Sequence, residues 1–166
     1  GVSIRTVAAE AGISTGSLRH VFPSKADLLV HAMELVGRRA QGRIEEHLYE
    51  PDPRALVLAV IKELLPLDAE RRAEMEVNVA LIAEAPGDER VKEVLDVAHA
   101  TVRDACRHMI AHLHRAGLTA PDLDVEGATT LLHGLVDGLA IHMLVNPDPA
   151  FERQALSMIE TTINGL

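Results

Sequence analysis

Residues 14–20 carry the side chains whose chemistry is most specific in this sequence. The segment reads Ser14, Thr15, Gly16, Ser17, Leu18, Arg19 and His20. Small groups at the start of a helix let backbone N–H groups and hydroxyls approach phosphate oxygens at the positive end of the helix dipole. The planar guanidinium of Arg19 can donate two hydrogen bonds to a guanine. The segment therefore predicts contact with duplex DNA, and Arg19 is a better candidate for reading bases than His20.

Further contacts to the DNA backbone are predicted on both sides of this segment. Lys25 falls in the first turn of the next helix, where a cation opposes the helix dipole unless an anion such as phosphate lies nearby. Ser3, Arg5 and Thr6, at the start of an earlier helix, are additional candidates for phosphate contact. Residues 1–30 hold three basic and two acidic side chains, whereas the whole chain has a net charge of −9. Binding to DNA must therefore depend on local, well-placed contacts.

Two short helices around a tight turn are predicted to position these side chains. The first is IRTVAAEA, the second is TGSLRHVF, and Gly12 ends the first in a left-handed conformation that glycine adopts without penalty. The apolar residues expected to face each other are Ile4, Val7, Ala8 and Ala11 before the turn, and Ile13, Leu18, Val21 and Phe22 after it. This spacing is typical of a helix-turn-helix, whose second helix lies in the major groove. Two-helix corners in other globular proteins share the spacing, so spacing alone leaves that alternative open.

The longer run GISTGSLRHVFPSKADLL closely resembles the recognition-helix sequence of the TetR/AcrR family of bacterial regulators. Three later segments resemble the BetI-like branch of that family: ELLPLDAERRAEMEV, IAEAPGDERV and LVDGLAIHML. The resemblance covers essentially the whole chain and is densest over residues 3–30. It implies a homodimeric, all-α repressor that binds a palindromic operator and releases it on binding a small molecule.

The resemblance also assigns roles by position. The DNA-facing set that it implies is Thr15, Gly16, Ser17, Arg19, His20 and Lys25. The helix over residues 25–48 would link the two domains, and the helices over 125–145 and 149–164 would form a four-helix bundle between subunits. The sequence departs from the family in two ways. It begins at Gly1 without the helix that usually precedes the first motif helix, and Arg19 replaces the more widespread aromatic residue, as in the BetI-like branch.

Capping residues at regular intervals predict an all-α chain. Ser or Asp precedes most of the apolar-periodic stretches, and the pairs Asp52-Pro53 and Asp148-Pro149 add proline at the first helical position. The predicted helices cover residues 4–11, 15–22, 25–48, 53–65, 69–85, 89–116, 125–145 and 149–164. The predicted domains are a helix-turn-helix DNA-binding domain over residues 1–46, lacking its first helix, and an effector-binding and dimerisation domain over residues 47–166.

Composition narrows the class of protein. Aromatic residues make up 2% of the chain, so the core must consist of aliphatic side chains and Met, which suits packed helices. The single Cys106 excludes an internal disulfide and is expected to be a buried thiol rather than a redox sensor. No unbroken apolar run approaches the roughly 18 residues that span a bilayer, and no secretory signal is visible. A cytoplasmic protein with no membrane partner is expected.

The helix predicted over residues 125–145 is apolar on two sides, which indicates deep burial or coverage by a partner. Gly134 and Gly138, about one turn apart, would let another helix approach closely. The preferred interpretation is a homodimer seam formed by packed helices. Ordinary burial within one subunit is the alternative.

Polar side chains on otherwise apolar helices are candidates for a small-molecule effector pocket. These candidates are Asn78, His133, Asp137 and His142. Each could equally be a satisfied polar group of the core or of an interface, and the effector is not identified. The small number of aromatic residues disfavours an aromatic cage for a quaternary ammonium ligand.

His108 and His112 lie one turn apart, a spacing that can place two imidazoles on one metal. No carboxylate or thiol joins them at a recognisable ligand spacing, so a solvated pair is favoured and neither a metal nor a cofactor is predicted. No nucleophile elbow, phosphate loop or metal-hydrolase motif appears, so no catalysis is predicted.

The leading hypothesis is a ligand-responsive repressor that binds double-stranded operator DNA as a homodimer. One alternative is a helical small-molecule binding protein with a vestigial helix-turn-helix. Another is a metal-dependent helical enzyme that would use His108 and His112.

Overall fold

Eight α-helices account for the regular structure of residues 3–166, the part of the chain that the computed structural model describes. They are α1 (Ile4–Glu10), α2 (Thr15–Val21), α3 (Lys25–His47), α4 (Pro53–Glu63), α5 (Ala69–Glu84), α6 (Glu89–Arg115), α7 (Val125–Val145) and α8 (Pro149–Asn164). A 3₁₀ turn over Ala85–Gly87 joins α5 to α6, and the described residues contain no strand. The all-α fold class is confirmed. Every predicted helix begins at the residue where the observed helix begins.

Side-chain caps explain this agreement. The Ser14 hydroxyl accepts a hydrogen bond from the Ser17 backbone N–H at 2.9 Å, and Ser24 forms a reciprocal capping box with Asp27. Asp52 and Asp148 accept from backbone N–H groups in the first turns of α4 and α8. A cap satisfies N–H groups that have no partner inside the helix, so it places the helix start locally.

Three apolar clusters stabilise the fold, and α3 contributes to all of them. The first joins Ile4, Ala8, Leu18 and Leu28. The second joins Ala26, Leu29, Leu81, Ala85 and Val91. The third and largest consists of residues from α4, α6, α7 and α8 together with Leu65 in the loop after α4, and Ile44 near the end of α3 packs against it. The N-terminal pair of helices therefore rests on the same helix as the larger bundle.

The predicted apolar underside of the helix-turn-helix needs one correction. Leu18 is buried and Phe22 packs against the first cluster, but Ile13 and Val21 are 45% and 65% exposed. The second helix has only seven residues, and Leu18 with the Phe22 ring already fills its contact with α1 and α3. Gly12 has the predicted left-handed conformation, with φ of 66°.

The centre of the largest cluster is α7, which packs against α6, α8 and α5. Eight of its residues are buried, among them Leu132, Val136 and Ala140. Cys106 of α6 is fully buried beside it, as predicted for a structural thiol.

By length and composition alone, α7 could cross a membrane, because an 18-residue window reaches a mean hydropathy of 1.4. The expectation of no such segment considered only unbroken apolar runs and therefore missed this helix. Within the molecule, 44% of that window is buried. A core helix packed on several sides has the same composition, so length and composition alone are weak evidence for a membrane span.

Candidate DNA interface and effector domain

The start of α2 projects a small, polar surface into solvent. Gly16, Ser17, Arg19 and His20 are exposed, and Thr15 is half-buried. Leu18, on the opposite side of the helix, is buried against α1 and α3. This alternation holds the predicted DNA-facing side chains outward, because α2 must bury Leu18 to stay attached.

An open groove brings most of the predicted DNA contacts together. Its lining consists of Ser3, Ile4, Arg5, Thr15, Arg19, Pro23, Ser24 and Lys25. Three of these side chains are basic and none is acidic, so the lining is basic although the chain is acidic overall. A concave surface lined by one sign of charge attracts the opposite charge more strongly than the net charge would suggest.

Two of the predicted phosphate contacts already have partners within the protein. Ser3 and Thr6 form a capping box at the start of α1, with their hydroxyl oxygens 3.0 Å apart. The Thr6 hydroxyl also donates to the Ser3 carbonyl at 2.9 Å. Their position beside the groove agrees with phosphate contact, but their local role is to start the helix.

Lys25 has an intramolecular anion that the sequence analysis did not identify. Its Nζ lies 2.6 Å from Oε2 of Glu84, in the last turn of α5. The unfavourable position of a cation at a helix start is therefore offset by a carboxylate 59 residues away, without a bound phosphate. The contact joins the helix-turn-helix side of α3 to the larger bundle.

A second ion pair crosses the same junction. Nη1 of Arg90, at the start of α6, lies 2.8 Å from Oδ1 of Asp27. The Ser24 hydroxyl and the Arg90 guanidinium both donate to the Asp27 carboxylate and lower its pKa below the ordinary value. Asp27 thus caps α3 and pairs with α6 at the same time.

The other end of α3 is held by a network of ion pairs that periodicity could not reveal. Arg43 donates to both carboxylate oxygens of Glu74, at 3.0 and 2.7 Å, and its Nε donates to Glu63 at 2.8 Å. Arg71 and His47 also contact Glu63, at 3.2 and 3.1 Å. Burial raises the pKa of Glu63, but the hydrogen bonds from His47 and Arg43 and the Arg71 charge outweigh it, so the net pKa is lowered. The network connects α3, α4 and α5.

The four predicted effector-binding residues lie in different surroundings. Asn78 of α5 is half-buried, with its Nδ2 3.8 Å from the Met75 sulfur. His142 is exposed, with its ring 6.1 Å from that of Phe151. His133 and Asp137 are neighbours, with Nε2 and Oδ2 3.4 Å apart. The structure brings together only this last pair.

His99 of α6 joins His133 and Asp137 across the contact between α6 and α7. The His99 and His133 ring centroids are 4.5 Å apart, and the three side chains have ligand atoms within 4.8 Å of one another. We call this set the α6–α7 cluster. Sequence reasoning missed His99, because only the packing of two distant helices shows that it faces His133.

One face of α7 stays apolar and open to solvent in the single chain. Leu131, Ile141 and Val145 are exposed there, and a Cβ added at Gly134 or Gly138 would have open space around it. The next helix, α8, exposes Met158. Both apolar sides predicted for α7 are therefore present, one buried and one not.

Two family models match the sequence. Residues 1–32 match the model of bacterial regulatory proteins of the tetR family. Residues 53–166 match the model of the C-terminal domain of BetI-type transcriptional repressors.

Individual proteins show the same similarity. The HTH-type transcriptional regulator PksA of Bacillus subtilis is 35% identical over 148 residues, which are 89% of this chain and 71% of that protein. A transcriptional regulator from Rhodococcus sp. Rha1 has 29% identity and a TM-score of 0.77, with 98% of this chain and 85% of that chain aligned. A regulator from Saccharomonospora viridis, solved in complex with choline, has 22% identity and a TM-score of 0.76, with 98% and 83% of the chains aligned.

Proposed function

Because the chain belongs to the TetR family of bacterial transcriptional regulators, we propose that it is a repressor that binds a palindromic operator as a homodimer and is released by a small molecule. Residues 1–46 form the DNA-binding domain and residues 47–166 the effector-binding and dimerisation domain in this proposal. Such a protein acts in the cytoplasm, where the chromosome lies, and performs no catalysis.

The observation that carries the proposal is the basic groove beside the exposed start of α2. Arg19 is free to enter the major groove of DNA, because α2 is attached through Leu18 on its other side. Thr15, Gly16 and Ser17 present small groups to the phosphates, and Arg5 and Lys25 flank them. In this arrangement Arg19 reads bases and the other groups fix the register on the duplex.

The open apolar face of α7 supports a homodimer. Two such faces, with Gly134 and Gly138 at their centres, would allow close packing of α7 and α8 against their symmetry mates. The exposed Leu131, Ile141 and Val145 would be removed from water in that dimer. Two recognition helices related by a two-fold axis match a palindromic site.

Release by a small molecule would act through α3. This helix bears Lys25 at one end and packs on α4, α5 and α6 along its length. A ligand that binds more tightly when α3 is displaced would favour that conformation and so lower the affinity for DNA. The size of the decrease is limited by the difference between the ligand's affinities for the two conformations.

The chemistry of the effector is constrained by the aromatic residues. Phe22 lies against His31, Tyr49 is exposed, and Phe151 lies against His142. Since these three rings are in separate places, we infer an effector that is recognised without an aromatic cage. Choline is the ligand of the Saccharomonospora viridis regulator, which shares only the fold at 22% identity.

The test is a titration of the full chain against the DNA upstream of its own gene and against random duplex, at two salt concentrations. Arg19→Ala should weaken binding to the upstream DNA by about 1–3 kcal/mol and reduce the preference over random DNA. Arg115→Ala, which removes an exposed arginine at the end of α6, is the matched control and should bind as the wild type does. Equal losses on both DNAs would contradict base reading by Arg19.

The same titration distinguishes the proposed repressor from the alternative, a helical protein that binds a small molecule but no DNA. A repressor dimer should give a complex of two chains per operator with a steep salt dependence. Failure to bind any duplex at low ionic strength would contradict the proposal and favour a binding protein with a vestigial helix-turn-helix.

A further inference from the structure

The α6–α7 cluster combines the ligand types of a metal site in one place. His99 and His133 each offer an imidazole nitrogen and Asp137 a carboxylate oxygen, all within 4.8 Å of one another. Two imidazoles and one carboxylate, with further positions left for water or another donor, are a recognised set for Zn²⁺ and neighbouring transition metals. Mg²⁺ and Ca²⁺ prefer oxygen ligands, so this donor set does not suit them.

The His133 side chain supplies the strongest evidence for a ligand. It is only 8% exposed, yet its single polar contact with the described residues is Asp137 Oδ2 at 3.4 Å. A buried imidazole ordinarily has hydrogen-bond partners that orient its ring. Here the ring lies against the imidazole of His99, which is exposed to solvent, with the two ring centroids 4.5 Å apart.

The backbone around the cluster is well held. His133 and Asp137 lie one turn apart on α7, and His99 lies on α6. The contact between α6 and α7 is the most extensive of all helix pairs in the described chain. The Arg103–Glu126 ion pair, at 2.9 Å, joins the same two helices farther along. Ligands on rigid, packed helices require little rearrangement to close around an ion.

We propose that His99, His133 and Asp137 bind a divalent transition-metal ion of the zinc type, which links α6 to α7. The proposal replaces the expectation of no metal site, which was drawn from His108 and His112. It does not depend on DNA binding, so it can fail while the proposed function holds, and the reverse is also true.

The test uses the full chain without a histidine tag, treated with chelator and dialysed. Zn²⁺ is titrated by calorimetry, and Co²⁺ is followed by the change in its visible absorption when protein ligands replace water and alter the coordination geometry. We expect one ion per chain and a rise in the melting temperature with ion concentration, because the ion binds the folded state.

Variants at the two exposed ligands decide the outcome. His99→Ala and Asp137→Asn should each weaken Zn²⁺ binding by at least ~10-fold and remove the Co²⁺ spectrum, while the far-ultraviolet circular dichroism stays unchanged. The double variant His108→Ala, His112→Ala is the matched control, since it removes two histidines from the same helix, and it should bind as the wild type does.

Three results would overturn the proposal. One is the absence of stoichiometric binding at micromolar Zn²⁺. Another is wild-type affinity in both His99→Ala and Asp137→Asn. The last is loss of the site in the His108, His112 control, which would assign the ion to the other histidine pair.

Discussion

The two ends of α3 are held by ion pairs of different kinds. At the N-terminal end, the Lys25–Glu84 pair has side chains that are 40% and 35% exposed. At the C-terminal end, Arg43 is 24% exposed, and its partners Glu63 and Glu74 are each 10% exposed. Charges in water interact weakly and are screened by salt. A charge near the interior is different, because removing its partner leaves it desolvated and unpaired and so lowers the free energy of unfolding strongly.

This difference suggests how one helix can serve two purposes. The C-terminal end, with its bidentate Arg43–Glu74 pair, is fixed to the bundle. The N-terminal end is also packed through the buried Ala26 and Leu29, but its ion pairs lie at the surface, where water or a phosphate oxygen can replace a partner at low cost. In the proposed DNA complex, Lys25 would exchange Glu84 for a phosphate, so this one polar attachment of the DNA-binding domain would depend on whether DNA is present.

The largest effect on stability is expected from a substitution at the C-terminal end of α3. Arg43→Ala should lower the free energy of unfolding by ~3 kcal/mol, because it removes the bidentate partner of Glu74 and one of the three partners of Glu63, and both carboxylates are only 10% exposed. Arg39→Ala is the matched control one turn earlier, since Arg39 pairs with Glu70 at 3.2 Å between exposed side chains. It should change stability by less than ~1 kcal/mol in urea unfolding. Equal losses of unfolding free energy in the two variants would show that the buried and the exposed ion pairs contribute equally to stability.

A smaller effect should appear in acid. The pKa of Glu63 is lowered in the folded protein, so its contribution to stability is present above the unfolded pKa and is lost as pH falls through the folded pKa. Below about pH 4, the stability difference between the wild type and Arg43→Ala should therefore narrow. Urea midpoints measured from pH 7 to pH 3 check this. A difference that stays constant would contradict the role of the Glu63 charge.

The smallest effects concern the N-terminal end and sharpen the comparison. Glu84→Gln should leave stability nearly unchanged but strengthen DNA binding slightly, because Lys25 no longer has a competing carboxylate. Lys25→Ala should weaken binding to all duplexes alike and reduce the salt slope by about 1. Fluorescence anisotropy at several salt concentrations measures both. If Glu84→Gln weakened DNA binding, the ion pair would be a support for the DNA-binding domain rather than a competitor of DNA.

Local features of the sequence were sufficient to predict the helices. Ser14, Ser24, Asp52 and Asp148 cap the residues that follow them, and a cap depends on neighbours within three positions. The left-handed Gly12 is local in the same sense. The outward position of Arg19 follows from these features together with the burial of Leu18.

Contacts between distant segments could not be predicted in this way. Glu84 meets Lys25 across 59 residues, and His99 meets His133 only because α6 and α7 pack in one particular register. Glu74 has no local feature that distinguishes it from the many solvated carboxylates of the chain, yet it is buried against Arg43. The DNA-facing residues and the effector residues remain predictions.

The buried thiol of Cys106 has a practical consequence. Burial and the nearby Asp137 charge raise its pKa to about 11, so at neutral pH almost all of the thiol is protonated. An alkylating reagent reacts with the thiolate, and it must wait until the helices around Cys106 separate. Since the sequence contains no other cysteine, the rate of alkylation would measure how often the bundle opens, in a protein that needs no engineered label.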